Sequence, residues 1–141
     1  MKGFENPPGG ETAATGMFEN GADVIYHAAG KSGLGLFDAV VQAGKGHWAI
    51  GVDSDQYLTA DADQKPYILT SALKRVDTGV FEFAESVAGD KPVSGYVTYD
   101  LASGGVDYAT SNPALTKDVI AQIDDYKQQI IDGDIKVPAE L

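Results

Sequence analysis

Two short apolar runs constrain this chain more than any other feature. Each ends in a glycine- or aspartate-rich loop, and a helix-spaced segment separates them. The first, Val24-Ile25-Tyr26, lies within Ala22–Ala29 and is bounded by Gly21 and Gly30. Its length and β-branched centre predict a buried parallel strand over Val24–Ala28. The turn Gly30-Lys31-Ser32-Gly33-Leu34-Gly35 follows, then Leu36, Phe37, Val40 and Val41 at helical spacing, with Gly44 and Gly46 as the stop. Trp48–Val52 reads as a second strand, ending at Asp53. Parallel strands need a crossover of this size. The pattern therefore predicts an α/β fold with Val24–Ala28 and Trp48–Val52 as adjacent parallel strands flanked by helices.

The remaining segments read less sharply. Residues 1–10 contain two prolines and three glycines and are expected to form a loop, followed by a short helix from Glu11 to Asn20. Ser54–Pro66 is polar and loop-like. Ile68-Leu69-Thr70 suits a short extended piece, and a helix is expected from Ala72 to Ala88 along the stripe Leu73, Val76, Val80, Phe83 and Val87. Gly95–Leu101 and Val106–Thr110 alternate around Ala102-Ser103-Gly104-Gly105, as a hairpin would. Asn112-Pro113 predicts a capped final helix over Ala114–Asp132, stopped by Gly133.

Charge and composition exclude several function classes. The net charge of −11 and the pI of about 4.3 argue against nucleic acid or anionic lipid as partner. No cysteine is present, so disulfides, cysteine-ligated metals and thiol catalysis are out. The 141 residues, 43% of them hydrophobic, suffice for one modest core. The opening residues contain no apolar stretch of the kind an export signal needs. An exported protein would carry its signal outside this sequence.

The chemical motifs are suggestive rather than diagnostic. Gly30-Lys31-Ser32 resembles the end of a phosphate-binding loop, but the required glycine five residues earlier is Ile25. A nucleophile elbow would need glycine where Leu34 stands. The dinucleotide fingerprint has a different glycine spacing. Two readings of the glycine turn remain: close backbone approach to a small ligand, or tight packing of helix on sheet. Asp53 and Asp55 sit at a strand's carboxyl end, where open α/β sheets place ligands. A carboxylate there can accept from both hydroxyls of a sugar diol, or can simply be solvated in a turn. A calcium loop lacks its glycine and terminal glutamate. His27 and His47 read as structural, and no nucleophile–base pair or metal set is visible, so a binder rather than an enzyme is expected, with no cofactor.

Three segments resemble the basic membrane protein family, the purine-nucleoside-receptor-like substrate-binding lipoproteins. They are Gly21-Ala22-Asp23-Val24-Ile25-Tyr26-His27-Ala28-Ala29-Gly30, then Gly33-x-Gly35, and most specifically Ile50-Gly51-Val52-Asp53-Ser54-Asp55-Gln56. Leu69–Arg75 and the final helix fit the same pattern. The resemblance implies a type I periplasmic-binding-protein fold of two lobes, with a nucleoside in the cleft. It implies a lipid anchor on the extracytoplasmic side of the membrane and delivery to an ABC permease. By position, Asp53 resembles the ribose-binding aspartate and Lys74 the ribose-binding lysine. Gly30 or Gly33 resembles the glycine whose backbone meets the ribose, and Tyr26 an aromatic beside the base.

The resemblance assigns residues 4–56 to an α/β unit of the second lobe and 57–141 to hinge-crossing segments and the C-terminal helix. No lipobox cysteine and no first lobe are present in these residues. The isolated chain is then expected to self-associate through its uncovered apolar stripe. The alternative is a ligand-sensing or regulatory protein that uses the same fold without transport.

Overall fold

A computed structural model of the chain describes residues 3–138. They fall into two compact units. The first runs up to Leu73 and takes in Tyr108–Leu115; the second comprises Lys74–Asp107 and the described residues from Thr116 onward. The chain therefore passes from one to the other three times.

The first unit holds the expected α/β motif. Strands β1 (Val24–Tyr26) and β2 (Trp48–Asp53) pair in parallel, with Val24 opposite Trp48 and Tyr26 opposite Ile50. Helix α1 (Pro7–Glu19) starts four residues before Glu11, inside the stretch expected to be a loop. Pro7 and Pro8 lack an N–H, but the first turn of a helix leaves its N–H groups without intrahelical partners anyway. Asn6 caps the end through Gly9 N–H at 3.3 Å. A 3₁₀ turn over Gly30–Gly33 leads into α2 (Leu34–Ala43). Gly35 lets α1 and α2 approach, since a Cβ there would lie 2.0 Å from the Pro7 carbonyl oxygen. Strand β1 is not the buried strand expected. It lies at the sheet edge, with Val24 42% and Tyr26 52% exposed.

Ser54–Pro66 contains a short helix, α3 (Gln56–Thr59), and a 3₁₀ turn follows at Lys65–Tyr67. Strand β3 runs over Ile68–Lys74, beyond the short segment expected, and pairs in parallel with β2. The Ala72 start expected for the next helix is thereby corrected. Ala72 and Leu73 stand opposite Val52 and Asp53, and the backbone groups of β2 require those partners. The core consists of Ala14, Phe18, Leu36, Phe37, Val40, Ala49 and Ile68 with their neighbours, all in this unit. Asn112 is buried there rather than capping a helix. Its Nδ2 donates to the Ile68 carbonyl at 2.6 Å and its Oδ1 accepts from Ala114 N–H at 2.8 Å.

The second unit contains α4 (Val76–Ala88) and α5 (Lys117–Asp132). Helix α5 begins three residues after Ala114, with Thr116 as its extended N-cap, and ends at Gly133 in the left-handed conformation. The expected hairpin does not form. Asp100 and Ser103 close the turn, through Ser103 Oγ and Asp100 Oδ1, but residues 95–101 are not a strand. Strand β4 (Val106–Tyr108) lies beside β3 instead. The bonds Ala109 N–H to Ser71 O and Arg75 N–H to Gly105 O, both 2.9 Å, run in opposite sequence directions, so this pair is antiparallel.

Candidate functional site

The carboxyl ends of β1 and β2 carry most of the residues singled out from the sequence. At the end of β2, Ser54 N–H donates to the Val52 carbonyl at 2.9 Å around Asp53, whose φ is +67°. A hydrogen bond from residue i+2 back to i around a positive-φ residue is the rarer, strained kind of γ-turn. Strain of this sort costs about 1–3 kcal/mol and persists only where neighbours hold it. Among the described residues Asp90 is the one other non-glycine residue with positive φ.

Several hydrogen bonds next to this turn meet at Gln56. The Gln56 Oε1 accepts from Val52 N–H at 2.8 Å and lies 3.0 Å from His27 Nε2. The fixed backbone donor sets the orientation of the amide, so His27 carries its proton on Nε2. At its other end Gln56 N–H donates to Ser71 Oγ at 3.1 Å. Gly51 leaves room for this junction, because a Cβ there would lie 2.5 Å from Ser71 Oγ and 2.6 Å from Gln56 Oε1. The His27 ring is buried and meets Phe37 edge-to-face at 5.6 Å. Burial pushes its pKa below 6.5, against the Gln56 hydrogen bond and the Asp53 charge, which pull it up. Its Nδ1 has no hydrogen-bond partner among the described residues.

Gly30 and Gly33 each have a packing reason to be glycine. Gly30 adopts φ +55°, and a Cβ on Gly33 would lie 2.0 Å from His27 Nδ1. Ser32 between them ties the turn to the N-terminal segment, donating from Oγ to Gly3 O and accepting from Asn6 N–H, each at 2.9 Å. Tyr26 lies half exposed on the edge strand, beside a cavity of about 220 Å³ that is also lined by Met17, His27 and Gly33. Asp55 accepts from the Ser111 hydroxyl, and its other carboxylate oxygen is buried with no hydrogen-bond partner among the described residues. Asp55 is therefore no solvated turn residue. Lys74 ends strand β3 rather than opening a helix, and belongs to the second unit. It follows Leu73, the register partner of Asp53. Among the described residues no group of three or more His, Cys, Asp or Glu could hold a metal ion.

Sequence reasoning placed Tyr26, Gly30, Gly33 and Asp53 in the first unit's loop cluster but gave no role to Gln56, Ser71 or Ser111. Gln56 had a signal, as the last residue of the Gly-Val-Asp-x-Asp-Gln segment. The two serines had none, because their partners lie 15 and 56 residues away.

The family model for ABC transporter substrate-binding proteins of the PnrA-like type matches residues 1–140. The chain belongs to this family. The PnrA-like proteins are substrate-binding proteins, not enzymes. Among curated relatives, a CD4+ T-cell-stimulating antigen of Listeria monocytogenes is 40% identical over 96% of the chain and 41% of its own length. The ABC transporter nucleoside-binding protein BmpA of Lactococcus lactis is 35% identical over 97% of the chain and 42% of its own length. The chain thus spans about two fifths of the length of these two relatives. Among solved structures, an ABC transporter solute-binding protein from Aeropyrum pernix superposes with a TM-score of 0.77 at 26% identity, over 97% of the chain and 46% of its own. A transcriptional activator of the comK gene from Bacillus halodurans, at 23% identity and TM-score 0.77, shares the fold. Among the described residues no helix is long and apolar enough to cross a membrane.

Proposed function

We propose that this chain forms part of the ligand-binding region of an ABC-transporter solute-binding protein whose ligand is a neutral purine nucleoside or a related nucleoside. The observation that carries the reading is Asp53, held in a strained turn at the carboxyl end of a central parallel strand. That is where α/β sheets take ligands, and a carboxylate can accept from both ribose hydroxyls. Lys74 is the proposed second ribose partner. Tyr26 is proposed to flank the base, and the backbone at Gly30 or Gly33 to meet the sugar. The overall charge of −11 disfavours a phosphorylated ligand. The Lactococcus relative, described as nucleoside-binding, supports the same ligand class. An ABC permease is the proposed partner. The proposed location is the extracytoplasmic face of the membrane, by a lipid anchor.

The test uses a two-lobed protein carrying this sequence, titrated calorimetrically with inosine, guanosine and their monophosphates. Nucleosides are expected to bind and monophosphates to bind far more weakly. Asp53→Ala is expected to remove about 2–3 kcal/mol of binding, the worth of a charged acceptor. Tighter binding of the monophosphate, or unchanged affinity in the variant, would defeat the reading.

A further inference from the structure

We infer that Gln56 is a positioning residue for the binding carboxylate: its side-chain amide and its backbone N–H together hold the γ-turn that aims Asp53. The inference rests on the nucleoside reading above for its functional consequence, but its structural half stands alone. Asp53 occupies a positive-φ conformation that is uncommon and strained for a non-glycine residue, although aspartate tolerates it better than most. A constraint is visible on both sides of the turn. Before it, Val52 N–H is held by Gln56 Oε1 at 2.8 Å. After it, the Gln56 backbone is fixed by Ser71 Oγ at 3.1 Å, on the neighbouring strand. Gln56 therefore closes a ring from residue 52 to residue 56, and the two residues between Asp53 and Gln56 cannot relax without breaking one of these bonds. The third bond, from His27 Nε2–H, stops the amide from rotating out of place. A glutamine suits this position because one carbonyl oxygen accepts two donors with no charge buried among them. Asp55, inside the same ring, is secured separately by Ser111.

The experiment compares wild type, Gln56→Met and Gln56→Glu in the two-lobed protein. Methionine keeps the length of the side chain without its acceptor; glutamate restores the acceptor. One readout is the intraresidue amide-to-Hα nuclear Overhauser effect of Asp53, which is strong only when φ is positive. The other is nucleoside affinity. Q56M is expected to weaken the Asp53 signal and to lower affinity at least tenfold, and Q56E, which regains the acceptor, to restore the signal, while its added charge keeps affinity below wild type. An unchanged Asp53 signal in Q56M overturns the inference, as does a loss of that signal that Q56E fails to restore. If the wild type binds no nucleoside, the ligand reading fails and the Asp53 signal alone decides the positioning role. Should Q56M not fold, Ser71→Ala releases only the backbone end of Gln56. It is expected to weaken the same signal, and an unchanged signal overturns the inference.

Discussion

The two units of this chain use apolar residues in opposite ways. In the first, Leu36, Phe37, Val40, Ala49 and Ile68 are at most 2% exposed and form one contiguous core. In the second, the stripe on α4 is as regular in sequence, yet Val76, Val80, Phe83 and Val87 are each at least half exposed. No hydrophobic side chain of α4 or α5 is buried. A groove of about 490 Å³ lies along α4 and is lined by Val80, Phe83, Tyr99 and Val106. Amphipathic spacing thus predicts that a helix forms and which face is apolar, but not that anything covers that face. Self-association of the isolated chain through this stripe is our proposal for what covers it.

The sharpest attack on this contrast is a matched pair of truncations. Phe37→Ala is expected to destabilise the first unit by about 3–5 kcal/mol, because it opens a cavity beside His27. Phe83→Ala, at 54% exposure, is expected to change stability by less than about 0.5 kcal/mol in dilute solution. Urea unfolding followed at low concentration compares them, and similar losses would erase the distinction. Repeating the Phe83 measurement by sedimentation equilibrium tests the self-association, which this variant should weaken.

Glycine substitutions probe the same contrast on a smaller scale. Gly33→Ala places a methyl 2.0 Å from His27 Nδ1, and the displaced ring or turn is expected to cost about 1–3 kcal/mol. In α4, Gly79→Ala meets the Tyr99 ring at 3.3 Å. There the helix-propensity gain of about 1 kcal/mol is expected to offset the crowding, leaving thermal stability nearly unchanged. A large loss at Gly79 would show that the second unit is packed more tightly than its exposure indicates.

The smallest effect is a pH dependence confined to the first unit. His27 is buried with its pKa below the ordinary 6.5, so the unfolded chain binds its proton more readily. Its contribution to stability is complete above pH 6.5 and is lost as pH falls through 6.5 toward the folded value. Hydrogen exchange at pH 7.5 and 5.5, corrected for intrinsic rates, should show protection of β1 and β2 falling more than that of α5. His27→Gln should flatten the difference, and an equal fall in both units would contradict it.

The positions of most candidate site residues were legible because their signals are local. The glycine turn after β1 and the Asp-x-Asp after β2 lie next to apolar runs of strand length, so periodicity placed them at the strand ends, while their candidate ligand roles came from the family resemblance. Lys74 was misplaced for the complementary reason. The stretch from Ala72 to Lys74 fits a helical stripe by spacing, and only the partner strand makes it β. The missed roles of Gln56, Ser71 and Ser111 depend on contacts that join distant segments.

The sequence by itself determined the parallel β1–α2–β2 unit and the α/β class, since short apolar runs punctuated by glycine leave few alternatives. It also determined that an aspartate would stand at the end of β2. Tertiary structure decided how that aspartate is held. The γ-turn at Asp53 is strained in isolation, and the aspartate, which tolerates positive φ better than most residues, only lowers its cost. The backbone beside it is braced from Gln56, which takes the Val52 N–H and is itself bonded to Ser71 and His27. Such hydrogen bonds form only after the strands have met, because closing the intervening loops costs entropy that no local pattern records.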